Sequence, residues 1–119
     1  MLFRSRHARA EYFQILQDWR PSEQTTNALL ELLKECRDAG IQAKLILLPE
    51  GREFRSWYPP PVRARLDTLL KSTGCERIDA REWLDDDDFT DGHHQLRGGA
   101  EKFSRRVAKD VILPWLNGK

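Results

Sequence analysis

Gly40-Ile41-Gln42-Ala43-Lys44-Leu45-Ile46-Leu47-Leu48-Pro49-Glu50-Gly51 is the segment on which the fold class turns. Leu45 to Leu48 is an unbroken apolar run, bounded by Gly40 upstream and by Pro49-Glu50-Gly51 downstream. A strand covered on both faces produces such a run, whereas a strand with one wet face alternates. Strands of this kind belong to parallel sheets flanked by helices. The residues before Gly40 agree: Thr26, Leu29, Leu30, Leu33 and Cys36 recur at intervals of three and four, which lays one apolar stripe along a helix. Ser22 is placed to cap its start, and Gly40 to supply the left-handed residue at its end. Helix, glycine, buried strand is half of a βαβ unit.

Working outward, Tyr12, Ile15, Leu16 and Trp19 predict a first helix over about Arg9 to Trp19, halted by Pro21. A loop rich in aromatics and prolines, Phe54 to Pro61, follows the strand; Val62, Leu66, Leu69 and Leu70 then mark a third helix ending near Gly74. Cys75 to Ala80 is a second strand centred on Ile78, with Asp79 near its carboxyl end. Trp83 to Gly99 reads mostly as loop. The final helix begins near Gly98 or Gly99 and sets Ala100, Phe103, Val107 and Val111 on one face, before Pro114 and Trp115. The alternation predicts one α/β domain over residues 1–119, a partial three-layer α/β/α sandwich with a parallel sheet. Two strands make a narrow sheet with unpaired edges. Further strands are expected from the N-terminal segment, a second copy of the chain or a partner chain.

Bulk composition limits the partners. Hydrophobic residues are 39% and charged residues 33% of the 119, a globular balance. A formal charge of +1 gives no electrostatic case for nucleic acid. Arg4, Arg6, Arg9, Arg105 and Arg106 read as solvated faces. The run Leu45 to Leu48 is far short of the about 20 residues a membrane helix needs. The basic N-terminus lacks the apolar stretch of a secretory signal. Cys36 and Cys75 form no motif and are expected as buried free thiols, so the compartment stays open.

The chemistry lies in Phe89-Thr90-Asp91-Gly92-His93-His94-Gln95-Leu96-Arg97-Gly98-Gly99-Ala100. An Asp three residues before a His, at a loop-to-helix junction, can set its carboxylate against the imidazole, fixing the tautomer and stabilising the imidazolium. Gly92 permits a tight turn, and Gly99-Ala100 lets the next helix pack closely. The plainer alternative makes Asp91 a turn cap and His94 an ordinary exposed histidine. Asp91, His93 and His94, with the acidic run Asp85 to Asp88, are also metal donors. Adjacent histidines rarely point the same way in regular structure, however, and the spacing matches no common zinc pattern, so no metal and no cofactor are expected. The acidic run reads as a solvated loop, neutralised in part by Arg81. Trp57, Tyr58 and Pro59 to Pro61 either line a sugar-binding cleft or pack the loop onto the sheet. Trp83 and Trp115 read as core or near-core.

Asp91-Gly92-x-His94, with Gly99 five residues after the histidine and an apolar-faced helix to finish, resembles the last conserved block of the SGNH (GDSL-like) hydrolases. Leu47-Leu48-Pro49-Glu50, Phe54-Arg55-x-Trp57-Tyr58 and Ile78-Asp79-Ala80-Arg81-x-Trp83 resemble the branch found in bacterial cell-envelope proteins, related to polysaccharide O-acetyl-transfer proteins. The likeness covers roughly residues 25 to 116, the carboxy-terminal part of such a domain. It implies an esterase or O-acyltransferase element in which His94 is general base and Asp91 its orienting acid, acting on acylated carbohydrate or another ester. Trp57, Tyr58 and His93 would then contact the substrate. The family's serine comes from a Gly-Asp-Ser block, with oxyanion donors from that block, a glycine and an asparagine. Ser5, Ser22, Ser56, Ser72 and Ser104 all lack that context. The alternative is a non-catalytic fragment or interaction module completed by another chain.

Overall fold

The structure, a computed structural model, describes residues 2–118, with side chains from residue 6 onward. The side chains of Arg4 and Ser5 therefore lie outside the described residues. The chain is mixed α/β. Its helices are α1 (Leu2–Gln17), α2 (Glu23–Asp38), α3 (Arg52–Ser56), α4 (Pro60–Ser72), α5 (Arg97–Val107) and α6 (Leu113–Leu116), and its strands are β1 (Lys44–Leu47) and β2 (Glu76–Asp79).

The segment before β1 folds as its chemistry dictates. Ser22 sits in extended conformation and its hydroxyl oxygen accepts the Thr25 N–H at 3.0 Å, satisfying one of the donors left open at the start of α2. Gly40 adopts φ +71°, the left-handed turn that frees the chain to enter β1. β1 and β2 pair in parallel with Ile46 opposite Ile78. The pairing outlasts the strands: Ala80 N–H donates to the Leu47 carbonyl and Glu50 N–H to that of Arg81, each at 3.0 Å. Pro49, Ala80, Leu84 and Phe89, all close to the carboxyl ends of the strands in sequence, are buried. A second cluster joins Ala8 of α1 to Phe54 and Trp57, with Tyr12, Phe13, Leu16 and Tyr58 packed around it.

Some expectations move. α1 begins earlier than Arg9 and ends at Gln17, because Arg65 draws the following turn onto α4 through Asp18 Oδ1 (3.0 Å) and the Trp19 carbonyl (3.1 Å). The expected aromatic loop, Phe54 to Pro61, is helical at both ends, since α3 runs over its first three residues and α4 begins at Pro60; α3 is too short for periodicity to reveal. Asp86 Oδ1 accepts the Arg52 N–H at 2.7 Å and so caps α3 from a distant part of the chain. After α5 the helix widens into a π-turn over Ala108–Ile112. Pro114, one turn on, has no N–H for the Asp110 carbonyl and its ring would press on it, and a wider turn relieves that clash. Cys36 and Cys75 are free as expected, but half-buried. Trp83 and Trp115 are also half-buried, Trp83 under the Arg106 guanidinium at 4.2 Å and Trp115 donating to Gln42 Oε1 at 2.6 Å.

The sheet is where the apolar run reads most differently. All four β1 residues are half-buried rather than covered, and Leu48 is 59% exposed. Among the described residues the sheet has two strands, so each has one unpaired edge. The radius of gyration is 16.1 Å, against about 13.5 Å for a compact domain of this length. Ile15, Leu32, Ile41, Leu96, Leu113 and Leu116 also stand largely in solvent.

Candidate functional site

The Asp91 loop is built as a closed ring. A 3₁₀ turn at Asp86–Asp88 leads in, capped reciprocally by Asp85 and Asp88. Buried Phe89 then bridges Gln95 in antiparallel fashion, Thr90 N–H donates to the His94 carbonyl at 2.8 Å, and Leu96 N–H donates to that of Asp88 at 2.8 Å. Closing so short a ring forces Gly92 to φ +97°, where a side chain would be strained. Gly51, at the exit of β1, donates its N–H to the Gly92 carbonyl at 2.6 Å. A Cβ on Gly51 would lie 3.1 Å from both Gly92 Cα and its oxygen, so the ring rests directly on the β1–α3 turn.

Within the ring, Asp91 organises both histidines. Its Oδ1 accepts the backbone N–H of His94 at 2.8 Å and of His93 at 3.2 Å, and its Oδ2 stands 2.6 Å from His94 Nδ1. The turn-capping bonds and the contact with the imidazole are thus made by one carboxylate using its two oxygens separately. Desolvation pushes the Asp91 carboxyl up, but the bonds from the His94 ring and the two backbone amides together outweigh it and hold it below the ordinary carboxylate value. Asp91 is thus an ionised acceptor at neutral pH. Its side chain is 18% exposed and that of His94 65%. Among the described residues His94 Nε2 makes no hydrogen bond, and no serine is bonded to it. Ser22 is engaged with Thr25, Ser56 with the Glu53 carbonyl and Ser72 with the Leu69 carbonyl.

His93 points inward from the same ring. Tyr12 meets it edge-on at 4.8 Å, Phe54 lies tilted at 4.8 Å, and the His94 ring is 3.9 Å away. Burial, with a further push from His94, lowers its proton affinity below the usual imidazole value against the pull of Asp91 and Glu11, so the ring is neutral at pH 7. Both of its nitrogens are buried without a hydrogen-bond partner. Nδ1 comes within 3.3 Å of Asp91 Oδ1 without forming a hydrogen bond.

Trp57 and Tyr58 do not join this constellation. Trp57 is 3% exposed and packs on Phe54 and Phe13, so its indole serves the loop-packing alternative. Tyr58 instead lines a separate cleft of ≈ 900 Å³ with Glu50, Arg55, Ser56, Arg63 and Arg81. α3 divides the two places, with Phe54 turned to His93 and Arg55 to the cleft. Tyr58 donates to Glu50 Oε1 at 3.1 Å, while Glu50 Oε2 is buried with no partner. Desolvation raises the Glu50 carboxyl above its ordinary value despite Tyr58 and the nearby arginines. Desolvation and the Glu50 charge likewise push the Tyr58 phenol up.

The acidic run divides as well. Asp85, Asp86 and Asp87 are exposed, as a solvated loop should be, but Asp88 is 7% exposed and its Oδ1 binds Lys102 Nζ of α5 at 2.7 Å. Arg81 spends its guanidinium on Asp79, at 2.9 and 2.7 Å, rather than on the run. Among the described residues, Asp91, His93 and His94 form a group whose donor atoms all lie within 4.8 Å of one another, near enough for an ion to be held between them. The objection from adjacent histidines fails here because the ring is irregular backbone. Sequence reasoning missed Tyr12 and Phe54 around His93, the Gly51 contact and the buried Glu50. The sequence shows Tyr12 only on the apolar face of a helix and Phe54 only in an aromatic loop, since a one-dimensional pattern carries no pairing between segments so far apart. No family model matches the chain, and neither a curated protein nor a solved structure matches it. Among the described residues, no helix is long and apolar enough to cross a membrane.

Proposed function

We propose that the chain carries the acid–base element of an SGNH-like ester hydrolase or O-acyltransferase, with His94 as general base and Asp91 as the residue that orients it. One observation carries the reading: an ionised, largely buried carboxylate 2.6 Å from Nδ1 of an imidazole that is itself 65% exposed. With Nδ1 donating to Asp91, the lone pair is on Nε2, and that nitrogen can take a proton from a hydroxyl while Asp91 stabilises the resulting imidazolium. The hydroxyl, from a serine or from water, attacks an acyl carbonyl; the proton held on Nε2 then passes to the departing alkoxide. Among the described side chains no serine is hydrogen-bonded to His94, and Ser22, Ser56 and Ser72 are engaged elsewhere, so water is the nucleophile we assign to this step. Acylated carbohydrate is the substrate class that the resemblance of the Asp91–Gly99 block suggests. The test is hydrolysis of a short-chain p-nitrophenyl ester. We expect slow turnover that His94→Ala removes; turnover unchanged in that variant excludes His94 as the base.

A second reading has its own observation. The two-stranded sheet with unpaired edges and the 16.1 Å radius of gyration favour a module whose sheet is extended by strands of another chain. In that case, the half-buried apolar residues of β1 and the exposed Leu48 would be covered only in the assembly. Light scattering separates the cases: self-association, or a compact complex with a partner, supports this reading, and a stable monomer with cooperative unfolding counts against it.

A further inference from the structure

We propose that Asp91, His93 and His94 form a binding site for a single divalent transition-metal ion of the Zn²⁺ class, with the fourth position open to solvent. The donor set is two imidazoles and one carboxylate, which suits a borderline ion and leaves it one ligand short of a closed tetrahedron. The geometry is close to what such an ion needs. With metal–ligand bonds near 2.1 Å, tetrahedral donors stand about 3.4 Å apart. Asp91 Oδ1 and His93 Nδ1 are 3.3 Å apart already, yet they do not share a hydrogen bond. With one donor atom taken from each residue, all three lie within 4.8 Å of one another, and the Asp91–His94 contact, 2.6 Å at Oδ2, would open as the imidazole turns to the ion. The adjustment falls on His94, whose side chain is 65% exposed and can swing without disturbing the core.

An independent observation is the orphaned ring of His93. A neutral imidazole has one donor and one acceptor, and burying both unmatched is unfavourable because each has given up its bond to water. Tyr12 and Phe54 fix this ring but offer its nitrogens no hydrogen bond. A metal on Nδ1 would satisfy that nitrogen, and the stacked His94 ring is the movable cover over it. Asp91 is held ready by two backbone N–H groups, so its carboxylate keeps its position when the His94 proton is displaced. Metal binding and the Asp91–His94 hydrogen bond then exclude one another.

The test uses the full chain, stripped of metal and titrated with Co²⁺ by visible absorbance and with Zn²⁺ by calorimetry. One ion per chain is expected, weakened at least tenfold by His94→Ala and by Asp91→Asn. Neither variant removes a buried apolar contact. Replacing Cys36 and Cys75 by alanine should leave the affinity unchanged. The proposal is overturned by the absence of saturable binding up to millimolar metal, or by binding that survives both loop variants. Neither readout depends on ester hydrolysis: metal binding in a protein without turnover leaves this site standing and defeats the hydrolase reading alone.

Discussion

The carbonyl oxygen of Asp88 lies against the backbone of Gly99 so closely that a Cβ on that glycine would stand 2.5 Å from it, and 2.8 Å from Asp88 Cβ. The contact fixes α5 against the turn that leads into the Asp91 ring. Gly99→Ala should therefore destabilise the protein by about 1–3 kcal/mol, the usual penalty for overpacking. Gly98, one residue earlier, meets nothing within 4 Å of such a Cβ. Gly98→Ala should be neutral or stabilising by up to about 1 kcal/mol. Urea unfolding of the pair tests this; equal effects would mean that the close approach does not constrain the fold.

Lys102→Ala should lower stability at neutral pH, and the loss should fade in acid. The Lys102 bond, helped by the Asp85 N–H, holds the Asp88 carboxyl below its ordinary value of 3.8. A depressed carboxyl contributes stability that is present above the unfolded value and is lost as pH falls through the folded one. Thermal unfolding from pH 7 down to pH 3 should show wild type and variant converging. A gap that persists unchanged at the acid end would place the effect elsewhere.

Glu50→Gln should do the reverse. Burial raises the Glu50 carboxyl above its ordinary value of 4.5, so its contribution is most favourable below that value and is lost as pH rises through the folded one. Glutamine keeps an oxygen for the Tyr58 hydroxyl and removes the charge. The variant should match wild type near pH 4 and exceed its Tm by a few degrees at pH 7. A constant difference across that range would remove the buried charge as its cause.

Asp91→Asn separates orientation from stability. If the dyad hydrolyses esters, turnover should fall about 10²–10⁴-fold, because an amide cannot hold the imidazole with Nε2 unprotonated or stabilise its charged form. The loop keeps its two backbone hydrogen bonds to the side-chain oxygen, so Tm should change little. Turnover within twofold of wild type would leave Asp91 as a turn cap only.

Legibility in the sequence followed the range of the interactions. Ser22, Gly40 and the stripe through Leu33 lie within one helix and its caps, and α2 is where they put it. Asp91, Gly92 and His94 are also near neighbours in sequence, and their contact is the one the spacing predicts. The run Leu45 to Leu48 correctly announced a parallel strand, but its half-buried state depends on how many strands and helices come to cover it. α3 escaped notice because its cap is Asp86, 34 residues away. Trp57 is buried in the aromatic cluster, whereas Tyr58, next to it in sequence, packs at the edge of that cluster and also lines the cleft, a division that no local pattern of residues announces.

With Asp91 Oδ2 2.6 Å from Nδ1, the His94 imidazole should carry its proton on that nitrogen. Ring ¹⁵N chemical shifts of His94 in the metal-free protein, at a pH where the ring is neutral, measure this most directly. The Nδ1–H tautomer should predominate in wild type and give way to Nε2–H in Asp91→Asn. A wild-type ring protonated mainly on Nε2 would contradict the account.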